Sequence, residues 1–99
     1  MSENEIEKRL QKLIRYSEPE KDTKTLFIWP EGVFSGYSYD EILILKNSFS
    51  KNFGKNHLIL FGINRLDEKK KGFYNSLVIL NNNMDIIREY RKQKLVPFG

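Results

Sequence analysis

A single acid, Glu31, stands at the mouth of an otherwise apolar run, LFIWPEGVF at residues 26–34. Leu26, Phe27, Ile28 and Trp29 show no polar alternation, which reads as a short strand buried on both faces and therefore central in a sheet. Pro30 has no N–H to give a ladder and holds Trp29 extended, so the chain leaves the sheet there and delivers Glu31 to the strand's carboxyl end. That edge is where open α/β sheets keep their sites. Taken alone, a single carboxylate so placed is more often a surface or capping group than a functional one. Other reactive types are sparse. The 99 residues contain no cysteine, so they offer no disulfide, no thiolate metal ligand and no thiol nucleophile. His57 opens a second apolar run without a cluster of partners, and reads as a partly buried or edge residue rather than a ligand. Lys92 lies among Arg88, Arg91 and Lys94 and by itself reads as solvated charge.

The elements that must position these groups follow from hydrophobic periodicity. Ile6, Leu10, Leu13 and Ile14 form one apolar stripe through residues 4–16, an amphipathic helix. The strand at 26–29 follows a charged loop, and a loop with two glycines, Gly32 and Gly36, leads away from it. Ser38 and Glu41 are spaced as a capping box, and Ile42, Leu43, Leu45 and Phe49 give the apolar face of a second helix to about residue 52. HLILFGI at 57–63 is a second buried strand. Strand, helix, strand with apolar strands throughout predicts a right-handed crossover and a parallel pair. Residues 64–72, with Lys69, Lys70 and Lys71, read as a solvated hairpin tip. Residues 73–80 and 84–90 read as two further strands joined by a tight turn at 81–83. Trp29, Phe34, Tyr37 and Tyr39 could line a pocket, but aromatics near a strand end are more often core. Tyr74 and Asn75 read as structural.

Length and composition set outer bounds. A chain of 99 residues, 39% hydrophobic and 13% aromatic, suits one small domain. The net charge of +4 is uneven: residues 1–50 carry seven basic and nine acidic groups, residues 51–99 ten and four. A basic half could attract anionic lipid or nucleic acid. No RNA- or DNA-reading signature accompanies it, so nucleic acid is not expected as a partner. No stretch approaches the roughly 18 apolar residues of a membrane span, and no signal peptide is legible, so the segment by itself reads as soluble and untargeted, as in a cytoplasm.

Two pieces, FIWPEGVF and EYRKQKLVPFG, with GINR and FYNSLVIL between them, resemble the carbon–nitrogen hydrolase (nitrilase) superfamily, and more narrowly the apolipoprotein N-acyltransferases. The resemblance runs from the first helix through Gly99. Its most specific part is Tyr, Lys, then Leu-Val-Pro-Phe-Gly at 90–99, which favours the acyltransferases over soluble amidases. The fold it implies is α/β, the first half of a nitrilase-like α-β-β-α sandwich. Residues 1–99 would be the N-terminal half of a carbon–nitrogen hydrolase domain, without the nucleophile region. Full-length members are inner-membrane proteins whose nitrilase-like domain faces the periplasm.

The chemistry implied by the resemblance uses a Glu, a Lys and a Cys, and no cofactor. The Glu takes the thiol proton, the Cys attacks an acyl carbonyl to give a thioester, and the Lys stabilises the tetrahedral oxyanion. The donor is a phospholipid and the acceptor the α-amino group of a lipoprotein's diacylglyceryl-cysteine. Glu31 matches the base and Lys92 the oxyanion lysine. Nothing here matches the nucleophile, so the expectation is a fragment of an acyltransferase, inactive alone and paired with a missing half-domain. A fragment of a soluble amidase or nitrilase and a non-catalytic interaction domain are the alternatives. Half a sandwich leaves apolar faces and strand edges uncovered. The purified chain is therefore expected to bind a hydrophobic dye and to lack sharp side-chain order; a sharp, reversible monomeric melt without dye binding would contradict this.

Overall fold

The computed structural model describes residues 3–30, 32–67, 69 and 72–92. The first helix, α1 (Glu3–Ser17), turns Ile6 and Leu10 fully inward, with Leu13 and Ile14 packed beside them. Spacings of four and three residues place them on one face. After strand β1 (Thr25–Ile28), the second helical run begins at the expected cap: the Glu41 N–H donates to Ser38 Oγ, and the Ser38 N–H donates back to Glu41 Oε1 at 2.8 Å. That run is three pieces rather than one helix. A short α2 (Tyr39–Ile42) tightens into a 3₁₀ turn at Leu43–Leu45 before α3 (Lys46–Asn52). A 3₁₀ turn brings positions three apart into line, so Ile42 and Leu45 both reach the core, as does Phe49.

Three strands complete the sheet: β2 (His57–Asp67), β3 (Gly72–Leu80) and β4 (Ile86–Arg91), in spatial order β1, β2, β3, β4. The expected parallel pair is present, with β1 parallel to β2 and Thr25 opposite His57, while β3 and β4 continue antiparallel. The polar hairpin tip is shorter than the sequence suggests. Pairing of β2 with β3 continues to Asp67 opposite Gly72. The β3–β4 turn is closed by the Asn81 side-chain oxygen, which accepts from the N–H groups of Asn83 and Asp85 at 2.9 Å.

The first strand requires correction. It is not buried on both faces and, among the described residues, it pairs on one side only, at the sheet edge. Phe27 turns toward the helices, whereas Leu26 is 49% and Ile28 69% exposed. An unbroken apolar run records that both faces shun water, but not that both are covered within these residues. The same asymmetry crosses the sheet. Ile59, Phe61, Ile63, Val78 and Leu80 are sealed beneath the helices, while Leu66, Phe73, Leu77 and Tyr90 lie open. The close-packed helix side argues for side-chain order there, so the looseness expected of a half-sandwich belongs to the opposite face.

His57 also departs from expectation. It is completely buried, with Nδ1 accepting from the Gly54 N–H at 3.0 Å and Nε2 lying 2.8 Å from the Glu20 carbonyl. Those partners fix a neutral ring with its proton on Nε2, which ties the loop before β1 to the start of β2.

Where helical cover ends, charge takes over. Arg65 donates to Glu89 at 2.9 Å across β3, and Ser76 and Tyr74 donate to the same carboxylate at 2.6 and 3.4 Å. Burial opposes ionisation of Glu89, but the hydrogen bonds from Ser76 and Arg65, together with the Arg65 charge, outweigh it and hold its carboxyl below the ordinary value of 4.5. A carboxyl lowered in the folded state stabilises it above the unfolded value, and that contribution is lost as pH falls through the folded value. Wild type is therefore expected to melt above Glu89→Gln at pH 7, with the gap closing below about pH 4 in a series of thermal melts.

Candidate active site at the carboxyl ends of the strands

Where β1 ends, the chain leaves and then rejoins the sheet. The Trp29 N–H donates to the Leu60 carbonyl at 2.9 Å, and Ser38 re-forms a parallel bridge with Asn64. The excursion between them is a tight loop, with Gly32 at φ 78° and Gly36 at φ 91° in the left-handed region that suits glycine. The Ser35 N–H donates to the Gly32 carbonyl, and the Tyr37 N–H to that of Phe34. Glu31 itself lies outside the described residues.

The loop is held from beneath by an aromatic cluster. The Trp29 ring stacks on Phe61 at 5.6 Å between centroids, meets Phe34 and Phe49 edge-on, and donates from its indole N–H to Ser17 Oγ at 3.0 Å. Phe34 is 1% exposed and contacts Phe61 in turn. From α1, Arg9 donates to the Ser35 carbonyl at 2.9 Å, and its guanidinium lies 5.3 Å from the Tyr37 ring centre. The aromatics read as pocket or core therefore divide. Trp29 and Phe34 are core, and Tyr39 is half-buried, with its hydroxyl donating to the Met84 carbonyl at 2.7 Å.

Lys92 follows β4 at the same end of the sheet. Its N–H donates to the Asn75 carbonyl at 3.1 Å, continuing the ladder one residue past Arg91. Arg91 is clamped: its guanidinium donates to Asp67 at 2.7 Å and lies 3.8 Å from the Tyr74 ring centre. Successive strand side chains take opposite faces, so fixing Arg91 on one face assigns Lys92 to the other.

An open hollow of about 320 Å³ joins these parts, with the loop residues Gly32, Phe34 and Tyr37 on one side, Gly62 and Asn64 of β2 and Asn75 of β3 along it, and Lys92 on the other. The residue after Glu31 and the candidate lysine thus share one cavity, three strands and 60 sequence positions apart. Sequence reasoning did not single out Asn64 or the Tyr37 hydroxyl, since neither has a spacing signal, and Asn75 reads as structural until the register places it here. No group of three or more His, Cys, Asp or Glu side chains suited to a metal gathers among the described residues, and no helix there is long and apolar enough to cross a membrane.

The chain is 33% identical, over 97% of its length, to an apolipoprotein N-acyltransferase from Wigglesworthia glossinidia brevipalpis. It is related to apolipoprotein N-acyltransferase. The chain spans about a fifth of that relative's length. No family model matches it. Among solved structures, an N-terminal amidase with an Asn-Glu-Ala peptide superposes over 95% of this chain and 25% of its own, with a TM-score of 0.58 and 22% identity. A glutamine-dependent NAD+ synthetase from Acinetobacter baumannii in complex with ADP superposes over 95% of this chain and 19% of its own, with a TM-score of 0.57 and 23% identity. These likenesses show the fold, an α/β arrangement of the nitrilase type, as the resemblance implied.

Phe34 carries the loop's attachment to the core. Phe34→Ala is expected to lower stability by about 3–5 kcal/mol, the usual cost of emptying a buried phenylalanine site. Urea denaturation measures it; a loss below 1 kcal/mol would mean that the loop is held elsewhere.

Proposed function

We propose that residues 1–99 supply the Glu- and Lys-bearing first half of an acyl-transfer domain of the apolipoprotein N-acyltransferase kind. The observation that carries this reading is the shared hollow: Lys92 and the loop following Glu31 line one cavity at the carboxyl ends of the strands. Two further features support it. The outer sheet face is apolar and open, as in half of a two-layer sandwich, and the relative of known type aligns with almost the whole chain.

In this reading Glu31 takes the proton of a cysteine thiol supplied by the complementary segment, and the thiolate attacks the ester carbonyl of a phospholipid. Lys92 neutralises the oxyanion, the ester C–O bond breaks, and the leaving lysophospholipid alkoxide takes the proton back from Glu31, leaving a thioester. The α-amine of a diacylglyceryl-cysteine then attacks the thioester. It loses a proton through Glu31 to the departing thiolate, and an amide remains. The domain would face the periplasm at the inner membrane, where the remainder of the protein holds the lipid donor. These 99 residues alone, having no cysteine, would not carry out the transfer.

Co-expression with a cysteine-bearing remainder from a related acyltransferase tests this, with N-acylation of a diacylglyceryl lipopeptide read by mass spectrometry. Transfer is expected only when both parts are present, reduced roughly 10²–10⁴-fold by Glu31→Gln and about 10²–10³-fold by Lys92→Ala. Transfer indifferent to both substitutions would overturn the reading. The absence of a thiol favours one second reading, a non-catalytic interaction domain, in which both substitutions leave partner binding unchanged.

A further inference from the structure

Two ion pairs reach across β3. Arg65 of β2 donates to Glu89 of β4 at 2.9 Å, and Arg91 of β4 donates to Asp67 of β2 at 2.7 Å. β2 and β4 flank β3 roughly 9–10 Å apart, so each pair joins strands that share no ladder. Each also runs diagonally, since Arg65 is level with Tyr74 and Glu89 with Val78. On the way they engage β3 side chains of the same face: the Arg91 guanidinium lies 3.8 Å from the Tyr74 ring centre, and the Tyr74 and Ser76 hydroxyls donate to Glu89. Exposed pairs of this kind add little to overall stability. Their order along the strands is more informative. β2 presents a cation and, two residues on, an anion; β4 presents an anion and, two residues on, a cation.

Slippage of a strand by two residues keeps every side chain on its own face, so apolar patterning opposes it only weakly. Here that patterning is thin, with Glu89, Tyr90 and Arg91 all exposed. The turn does not settle the matter either, because the ladder carries an irregularity between Ile79 and Leu80 on the way from it. Charge does. A slip of β4 in one direction sets Arg91 against Arg65, and in the other Glu89 against Asp67, like sign against like in both cases. Lys92 is the next residue. Its N–H donates to the Asn75 carbonyl just past the end of β4, which among the described residues is an edge strand paired with β3 alone. Slippage by two residues would carry Lys92 about 7 Å along the sheet, whereas a misplacement of about 1 Å can cost 10²-fold in rate.

We propose that the opposed charge order of these two braces locks the register of β4 and so positions Lys92, with Asp67 acting on it through Arg91. Asp67 is suited to the task. Its side chain is 14% exposed, and its Oδ1 accepts from the Lys69 N–H at 3.1 Å while Oδ2 receives Arg91, so the acceptor is itself held in place. Asp67 is a positioning residue: it ties Arg91 on the face opposite the one Lys92 takes, and reaches the lysine only through the backbone. That the placement of Lys92 matters to acyl transfer rests on the reading above; the register lock does not.

Amide hydrogen exchange on the full chain tests this in wild type, Asp67→Asn, Asp67→Glu and the exchanged pair Arg65→Glu with Glu89→Arg. Asp67→Asn is expected to speed exchange of the Lys92 N–H about fivefold while Ile59 and Phe61, sealed in the core, keep their protection. Asp67→Glu keeps the charge and restores protection at Lys92. The exchanged pair retains two ion pairs but gives each strand a single sign, so slippage no longer sets like against like; faster Lys92 exchange is expected there too. A rise spread evenly over Ile59, Phe61 and Lys92 marks a merely structural role and overturns the proposal, as does wild-type exchange at Lys92 in Asp67→Asn or in the exchanged pair. In reconstituted transfer, Asp67→Asn should lower kcat roughly tenfold with KM unchanged, and Asp67→Glu should recover it. The two readings fail separately: a Lys92 amide that responds to Asp67 without reconstituted transfer sinks the proposed function alone, whereas reconstituted transfer at the wild-type rate in Asp67→Asn sinks this one.

Discussion

Trp29 is the contact on which the remaining architecture depends. It is the first residue past β1, and its indole is met by Phe34 from the loop, Phe49 and Phe53 from the end of the helical run, and Phe61 from β2. Its N–H reaches back to Ser17 at the end of α1. One side chain therefore fastens four separate stretches of chain to the point where the sheet gives way to the loop. Aromatic pairs of this kind contribute about 0.5–1.5 kcal/mol each beyond their buried area, and burial of the rings themselves contributes more. Since Pro30 and residue 31 follow directly, the same cluster that stabilises the domain also fixes where the chain emerges at the candidate site.

Order is unequally distributed between the two sheet faces. The helix side carries the aromatic cluster, the neutral His57 and the capped helical run, all buried. The other side presents Ile28, Phe73 and Tyr90 to water. An apolar sheet face of this kind is typical of interaction surfaces, and β1 adds an edge that is unpaired among the described residues. Both suit a layer on which another layer rests.

This asymmetry explains what the sequence revealed and what it concealed. The parallel β1–β2 pair, the capping box at Ser38 and the four strands were legible because each has a local signature in period or spacing. The position of β1 was not, because an apolar run reports a face's preference without saying what covers it. The lengths of β2 and β3 were hidden for the opposite reason: Asn64, Arg65 and Asp67 look like loop residues, yet cross-strand pairing and the Arg65–Glu89 bridge hold them in the ladder. Lys92 drew notice only through its register against the segment that follows it. Its placement comes from Arg91, whose partners Asp67 and Tyr74 are 24 and 17 positions away in sequence. Tyr37 was visible as an aromatic but not as an unsatisfied donor, since satisfaction is a property of three-dimensional surroundings alone.

The site and the stability of this chain therefore lie on different sides of one sheet. Charge is worth most in catalysis where water is excluded, because the effective dielectric falls and fixed dipoles need not reorganise. Lys92 is exposed in an open hollow, where a cation's field is screened and its effect on a developing oxyanion correspondingly small. Covering the open face would change that without moving a residue, since the Arg91 clamp and the Trp29 cluster already set the two ends of the hollow from the opposite side. In the proposed reading a second layer would do more than contribute a nucleophile. It would also dry the site, and under the proposed function the lysine's charge could then act.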